Sequence, residues 1–364
     1  GFLAGAALAS GSFENTLVGD YAGTAITTGD YNTVIGKSAL YTEDVGQQST
    51  AVGYSALYAQ NTASQSAVNN TGVGVNVGAH NVTGTNNTWL GANAGVGASG
   101  YSNSSNVGVG TSALNAITTG SRNIAIGSAA GQALTESEKN VAIGSDALYY
   151  ASSDSDENIA IGNNSMAGNF STAAVHDCVA IGSDSLDAVL TSAASGSVAV
   201  GKSALGALTS GGDNVAIGHD ASILLTTGGS NTVVGNHAFD ASAHDESGNT
   251  VIGLGAMGAV AQGGTASSTN REAKENVAIG AGALMGGTLA STNHLEGNIA
   301  IGYNALDATA DANQIGTIAI GSSALTALTS GIGNVAIGYQ SMDANQTSDY
   351  NTAVGYSTLG AVNS

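Results

Sequence analysis

The side chains that could bind a metal ion or catalyse a reaction are scattered along this chain. Six histidines occur without metal-ligand spacing, namely His80, His176, His219, His237, His244 and His294. His219 and His237 lie in adjacent copies of the repeat defined below, but at unlike positions, so we do not expect them to share a metal ion. Serine and aspartate are common here as turn residues, and therefore no Ser/His/Asp set is indicated. The sequence predicts no catalytic, cofactor-binding or metal-binding residue, and we do not expect an enzyme.

Two further motifs have a structural explanation. Gly253–Gly258 matches the dinucleotide fingerprint Gly-x-Gly-x-x-Gly, but no strand-helix-strand context surrounds it, so nucleotide binding is not expected. Cys178 is the single cysteine, which excludes a disulfide framework and a cysteine-based zinc site. No basic neighbour lowers its pKa, and a small structural role is favoured over a reactive thiol.

The sequence leaves open whether the chain binds calcium or glycans. The Gly-Gly-x-Gly-x-Asp calcium nonapeptide is absent, and turn aspartates such as Asp30 and Asp213 recur only sporadically, so we expect no cofactor beyond an isolated loop calcium. Tyrosines that follow the repeat glycine could stack on sugars, or could cover the edge of their own coil, which is favoured. They are Tyr54, Tyr303, Tyr339 and Tyr356.

Charge excludes two classes of partner. The 364 residues contain 6 Lys+Arg and 26 Asp+Glu, a formal net charge of −20. So acidic a chain is not expected to bind nucleic acid or an anionic membrane surface. No run of about 18 apolar residues occurs, and membrane insertion is not expected either.

A short glycine-terminated phrase recurs through the whole chain, and it is the main signal in the sequence. The nineteen copies end at Gly19, Gly36, Gly53, Gly74, Gly91, Gly110, Gly127, Gly144, Gly162, Gly182, Gly201, Gly218, Gly235, Gly253, Gly280, Gly302, Gly321, Gly338 and Gly355. No spacing between them is shorter than 17 residues. We number positions from this repeat glycine, so that G−1 precedes it and G+1 follows it.

The phrase itself predicts a short strand. G−3 is Thr, Val or Ile, and G−1 is Val or Ile except at Leu90. Two β-branched residues at a spacing of two favour a strand with these residues inward. The residue between them, Ala in twelve copies, is never polar, and we expect it to face another chain. Each copy is predicted to be a coil of two short strands and two turns.

Stacking these coils predicts an all-β protein, a parallel β-solenoid of about 19 coils with a 17-residue minimum repeat and loop insertions. Residues 1–364 are predicted to be one continuous repeat array. Asn occupies G−4 in 15 of the 19 copies and is expected to form a hydrogen-bonded ladder inside the coil. Turn glycines such as Gly29 and Gly120 are expected to adopt positive φ. The largest insertion lies between Gly253 and Gly280 and carries the charged residues Arg271, Glu272, Lys274 and Glu275.

The phrases Asn334–Gly338, Asn298–Gly302 and Asn214–Gly218 resemble the head repeats of trimeric autotransporter adhesins. Asn351–Leu359 resembles more closely the Asn-Thr-Ala-Ile-Gly-Tyr-x-Ala-Leu arrays of phage and bacterial tail-fibre-domain proteins. The adhesin head repeat is shorter than the repeat found here. The resemblance implies left-handed parallel β-roll coils that associate as homotrimers on the surface of a cell or virion.

These observations predict a structural component of an extracellular fibre or bacterial surface appendage used in attachment. The alternative is the shaft of a phage tail fibre that carries a receptor-binding tip, and a calcium- or glycan-binding solenoid is less favoured. Self-association into a homo-oligomer, with three chains favoured and higher order open, is the expected partnership, together with a cell-surface glycan or receptor. Both ends of the sequence lie in mid-repeat, so we expect a segment of a longer fibre protein.

Overall fold

The computed structural model describes residues 1–151, 154–170, 173–241, 245–259, 261–262, 272–286, 288–289, 294–308 and 313–360. The chain divides into two compact units, Gly1–Asp177 and Cys178–Ser364. Each unit is a stack of short coils, and each is described here by itself.

In its described residues the first unit contains nine strands of three residues, and each strand ends immediately before a repeat glycine. They are β1 (Thr16–Val18), β2 (Thr33–Ile35), β3 (Thr50–Val52), β4 (Thr71–Val73), β5 (Thr88–Leu90), β6 (Val107–Val109), β7 (Ile124–Ile126), β8 (Val141–Ile143) and β9 (Ile159–Ile161).

Ten strands of the same kind and five additional short ones lie in the part of the second unit that the structure describes. In chain order they are β10 (Val179–Ile181), β11 (Val198–Val200), β12 (Val215–Ile217), β13 (Thr232–Val234), β14 (Thr250–Ile252), β15 (Ala261–Gln262), β16 (Glu272–Lys274), β17 (Val277–Ile279), β18 (Thr288–Leu289), β19 (His294–Glu296), β20 (Ile299–Ile301), β21 (Gln314–Ile315), β22 (Ile318–Ile320), β23 (Val335–Ile337) and β24 (Thr352–Val354). A single turn of 3₁₀ helix spans Ser192–Ala194.

Within each unit, successive repeat strands pair in parallel and in strict repeat register. Ala125 of β7 is opposite Ala142 of β8, and Ala199 of β11 is opposite Ala216 of β12. The strands are joined by one coil of chain each, which is the connectivity of a parallel β-solenoid. The predicted fold class is therefore confirmed.

A second strand per coil was expected, but in the described residues it forms only in part of the second unit. There β15 pairs with β18, and β16, β19 and β21 form a three-stranded sheet. These strands lie in the longer insertions, including the one before Gly280. Elsewhere in the described chain, the return path of the coil is built from turns and bends, with isolated parallel bridges such as Gln47–Ala67 and Ser104–Ser121.

The predicted orientation of the strand is wrong, because the middle residue points inward. The G−2 residue is buried in every repeat strand except β1, where Leu17 is half-buried, whereas G−3 and G−1 are half-buried or exposed throughout. Ala at G+3 and Leu or Met at G+4, such as Ala113 and Leu114, are fully buried on the other side of the same thin core, except Leu359, which is exposed. These side chains already occupy the narrow interior, and the strand adds Ala at G−2 in twelve copies, while the residues at G−3 and G−1 turn outward.

The repeat glycine is required for two reasons. Its φ lies between +126° and +150° in all nineteen copies, a region that side chains with a Cβ avoid. A Cβ on Gly127 would also lie 2.3 Å from the carbonyl oxygen of Gly144, the equivalent glycine of the next coil. The turn glycines behave differently from expectation, since Gly29 and Gly120 do not have positive φ, although Gly331 does.

Trp89 is the largest residue at G−2, and its neighbours make room for it. The ring is fully buried in the first unit. The two strands that pair with β5 place Gly72 and Gly108 opposite it. A Cβ on Gly108 would lie 2.7 Å from Trp89 Cε3, and one on Gly95 would lie 2.4 Å from Trp89 Cδ2. The large ring is therefore accommodated by the absence of side chains around it.

Candidate functional site

The outward face of the repeat strands is the most distinctive surface of the chain. We call it the outer face and define it as the G−3 and G−1 residues of β1–β9 in the first unit and of the ten repeat strands in the second. It contains Thr, Val, Ile and Leu and no charged residue. Val18, Ile126 and Val354 expose 54%, 39% and 64% of their surface. Each unit therefore presents an aliphatic column, one residue wide at G−1, to its surroundings.

This surface is built by the backbone ladder beneath it. The Thr33 amide donates to the Ser49 carbonyl of the next coil at 2.9 Å, and the Gly53 amide donates to the Ile35 carbonyl at 2.7 Å. The same two bonds recur from coil to coil and fix each strand in register with the next. Consequently the outer side chains align along the stack. The faces of parallel sheets are normally covered by other elements.

The sequence identified this strand as the contact element but assigned contact to the wrong residues. It named G−2 as outward, whereas G−3 and G−1 are. No signal in the sequence indicates the correct assignment, because G−2 is as free of charged residues as G−3 and G−1 are.

The predicted asparagine ladder is confirmed. Asn123 Oδ1 accepts from the backbone amide of Asn140 at 3.0 Å, and Asn123 Nδ2 donates to the Ser137 carbonyl at 2.7 Å. Equivalent bonds join Asn214, Asn231 and Asn249 in the second unit. Cys178 occupies the same position, is buried, and donates through Sγ to the Ala194 carbonyl at 3.5 Å. These residues are interior structural groups.

The glycine-rich motif at Gly253–Gly258 forms the turn that follows β14. Gly253 follows β14, and Ala256 and Met257 are fully buried in the coil interior. Residues 254–258 are turn, and no helix follows in residues 254–259. Of the charged insertion, Arg271 lies outside the described residues, while Glu272–Lys274 forms β16.

The tyrosines at G+1 are exposed. Tyr339 and Tyr356 belong to successive coils and stack on each other, with ring centroids 5.4 Å apart. Tyr54 lines an open depression of about 480 Å³ together with Tyr58 and His80. The sequence did not single out a second aromatic row in the first unit, in which Tyr41 and Tyr58 stack at 5.0 Å. Stacked rings of this kind offer flat apolar surface beside polar groups.

Two histidines that the sequence kept apart are brought together. His219 and His237 lie with ring centroids 5.3 Å apart, and Asp220 lies beside both. His80 instead contacts the Gly97 carbonyl at 3.0 Å. His244 lies outside the described residues.

The pKa values of Lys139, Glu157, Asp240 and Asp307 are shifted. The Glu157 carboxylate accepts a hydrogen bond from the Lys139 ammonium of the preceding coil, which raises the pKa of Lys139 and lowers the pKa of Glu157. Burial raises the pKa of Asp307. Burial also raises the pKa of Asp240, against the opposing effect of the neighbouring His237.

The chain matches no family model, and the comparisons with curated proteins and with solved structures gave no match. In the part of the chain that the structure describes, no helix has the length and apolar character needed to cross a membrane.

Proposed function

We propose that this chain is a structural component of an extracellular fibre or surface appendage used in attachment, and that it acts by associating with further copies of itself through the outer face. The observation that carries the proposal is that outer face, which is aliphatic and free of charge on an otherwise acidic chain. The proposal includes no enzymatic activity.

A second copy is the occupant that the outer face favours. A stable protein interface uses about 20–30 residues from each partner. The outer face supplies two residues per strand, which gives 18 in the nine strands of the first unit and 20 in the ten of the second. A second copy of the chain presents the same uncharged outer face, so the net charge of −20 on each chain lies away from the contact. Burying such aliphatic area contributes about 25 cal/mol per Å².

A mechanical role follows from the way the coils are joined. Each coil is bonded to the next through the strand ladder and through the asparagine ladder, so that bending a unit strains many hydrogen bonds together. Association of several chains would add lateral support. A stiff shaft that presents adhesive elements is the role we propose, with three chains as the number that the resemblance to adhesin heads implies. The same stiffness would serve a phage tail-fibre shaft.

The test is the mass of the purified chain in solution, measured by light scattering after size exclusion. We expect a stable oligomer. A double variant, Ile126→Lys with Ile143→Lys, places charge on the outer face and should shift the mass toward that of a monomer. The matched control, Thr111→Lys with Ser128→Lys, adds the same charge at G+1 in neighbouring coils and should leave the oligomer intact.

Two results would contradict the proposal. One is a folded, monomeric wild-type chain at tens of micromolar concentration. The other is an oligomer that the outer-face variant and the G+1 control disturb equally, since contact would then be made elsewhere.

A further inference from the structure

A cluster of two histidines and two aspartates lies on consecutive coils of the second unit. His219 and Asp220 follow Gly218 at G+1 and G+2, and His237 and Asp240 follow Gly235 at G+2 and G+5. His219 Nδ1 is 3.1 Å from Asp220 Oδ2, and His237 Nδ1 is 3.7 Å from the same oxygen. His237 Nδ1 is also 3.2 Å from Asp240 Oδ2.

The stacking of the coils creates this proximity. The backbone amide at G+2 donates to the carbonyl at G+1 of the preceding coil, as His237 does to His219 at 3.0 Å. Positions G+1 and G+2 of successive coils are therefore neighbours. Asp220 and His237 also share the left-handed backbone conformation, with φ of +55° and +50°.

The distances suit a small divalent ion. Metal–nitrogen and metal–oxygen bonds of about 2.0–2.2 Å separate the ligands of a tetrahedral zinc site by about 3.3–3.5 Å. The two distances from Asp220 Oδ2 to the histidine nitrogens lie on either side of that range. The three ligand atoms of His219, Asp220 and His237 all lie within 4.8 Å of one another. Both imidazole side chains are nearly half exposed, at 45% and 48%, and can rotate to close the remaining gap.

The donor set indicates which ions would bind. Two imidazole nitrogens with a carboxylate favour first-row transition metals such as Zn²⁺, Ni²⁺ and Cu²⁺. Calcium and magnesium prefer oxygen ligands throughout. Asp240 Oδ2 lies 3.2 Å from His237 Nδ1, close to the separation of two ligands on one ion, which places this carboxylate to serve as a fourth ligand.

We propose that His219, Asp220 and His237 form a binding site for one divalent transition-metal ion, with Asp240 as a supporting carboxylate. The ion would connect two successive coils of the second unit through side chains, in addition to the backbone bonds between them. The site is independent of the proposed function, because it needs no contact with the outer face.

The experiment is a calorimetric titration of the metal-free chain, purified without a histidine tag, with ZnCl₂. We expect one ion per chain. His219→Gln and His237→Asn should each weaken binding at least about tenfold, since loss of an outer-shell partner alone typically costs about 10–100-fold. Asparagine is used at position 237 because it tolerates left-handed φ. His294→Gln, which removes another histidine of the same unit, should bind zinc as the wild type does.

Thermal unfolding supplies a second readout. Zn²⁺ should raise the Tm of the wild type and of His294→Gln, and should leave the Tm of the double variant His219→Gln, His237→Asn unchanged, because only a chain with the site gains binding free energy on folding. Circular dichroism of each variant establishes that it is folded. The proposal is overturned if no zinc binds at millimolar concentration, if the double variant binds as the wild type does, or if equimolar Ca²⁺ displaces the zinc.

Discussion

The packing of Trp89 among glycines leads to a prediction that can be worked out in detail. Gly108→Ala adds a methyl group 2.7 Å from Cε3 and 2.8 Å from Cζ3 of the ring. Carbon atoms in contact prefer about 3.5–4.0 Å, so the ring or the backbone must move by about 1 Å. The other edge of the ring is closed by the backbone at Gly95, where a Cβ would lie 2.4 Å from Cδ2. We therefore expect a destabilisation near the upper end of the usual overpacking cost of about 1–3 kcal/mol.

The partner substitution removes the obstacle. Trp89→Ala leaves a cavity and should cost about 3–5 kcal/mol. In that background the methyl group of Gly108→Ala has room, and alanine already occupies this strand position in twelve copies of the repeat. Gly108→Ala should then be neutral or stabilising, which gives a favourable coupling of at least about 1 kcal/mol between the two substitutions.

Two assays measure these effects. Trp89 is the only tryptophan, so its fluorescence during urea unfolding reports on this coil in the wild type and in Gly108→Ala. Hydrogen exchange of peptides that span residues 85–113 gives local opening free energies for all four members of the cycle. Local values are needed because stacked repeats need not unfold in one step. If Gly108→Ala costs the same with and without the indole, the ring is not the obstacle and the reasoning is refuted.

Three further predictions test the ladders and the pH dependence. Asn123→Ala leaves the buried Ser137 carbonyl without its side-chain donor and should lower the local stability by about 1–3 kcal/mol. Local hydrogen exchange measures this change, and unchanged protection of the amides against exchange would contradict a stabilising role of the ladder. Gly127→Ala imposes a φ of +140° on alanine and should cost at least about 1–3 kcal/mol. Gly11→Ala, with open space around the new Cβ, should change stability by less than about 0.5 kcal/mol, and equal effects at the two sites would refute the steric argument. Burial raises the pKa of Asp307, so the folded state binds the carboxyl proton more tightly than the unfolded state does. The stability gained from this tighter binding is fully present below the ordinary pKa of 3.8 and is lost as the pH rises through the pKa of the folded state. Asp307→Asn should therefore raise the Tm at pH 7 and have little effect at pH 3, and a change of equal size at both pH values would exclude burial of charge as the cause.

The His219–Asp220–His237 cluster shows why part of the surface could not be predicted. Aligning the repeats by their glycines places the two histidines at different positions, and for this reason the sequence predicts that they do not share a metal ion. The hydrogen bond from a G+2 amide to the G+1 carbonyl of the preceding coil makes these two positions neighbours, with an offset of one residue between donor and acceptor, although the strands stay in repeat register. That offset is a property of backbone geometry in three dimensions, and no pattern in the sequence displays it.

The repeat by itself determined the architecture of this protein. Nineteen glycine-terminated phrases, none closer than 17 residues apart, require equivalent stacked coils, and the asparagine at G−4 indicates the ladder inside them. Which side of each strand faces inward was decided only by the tertiary structure. A three-residue strand without a charged residue can turn either face toward the core. Its sequence does not indicate which face is buried, because there is no alternation of apolar and charged residues along it. The width of the coil resolves the choice, because Leu114 and its equivalents already occupy the core, and the strand fills the remaining space with alanine in twelve copies.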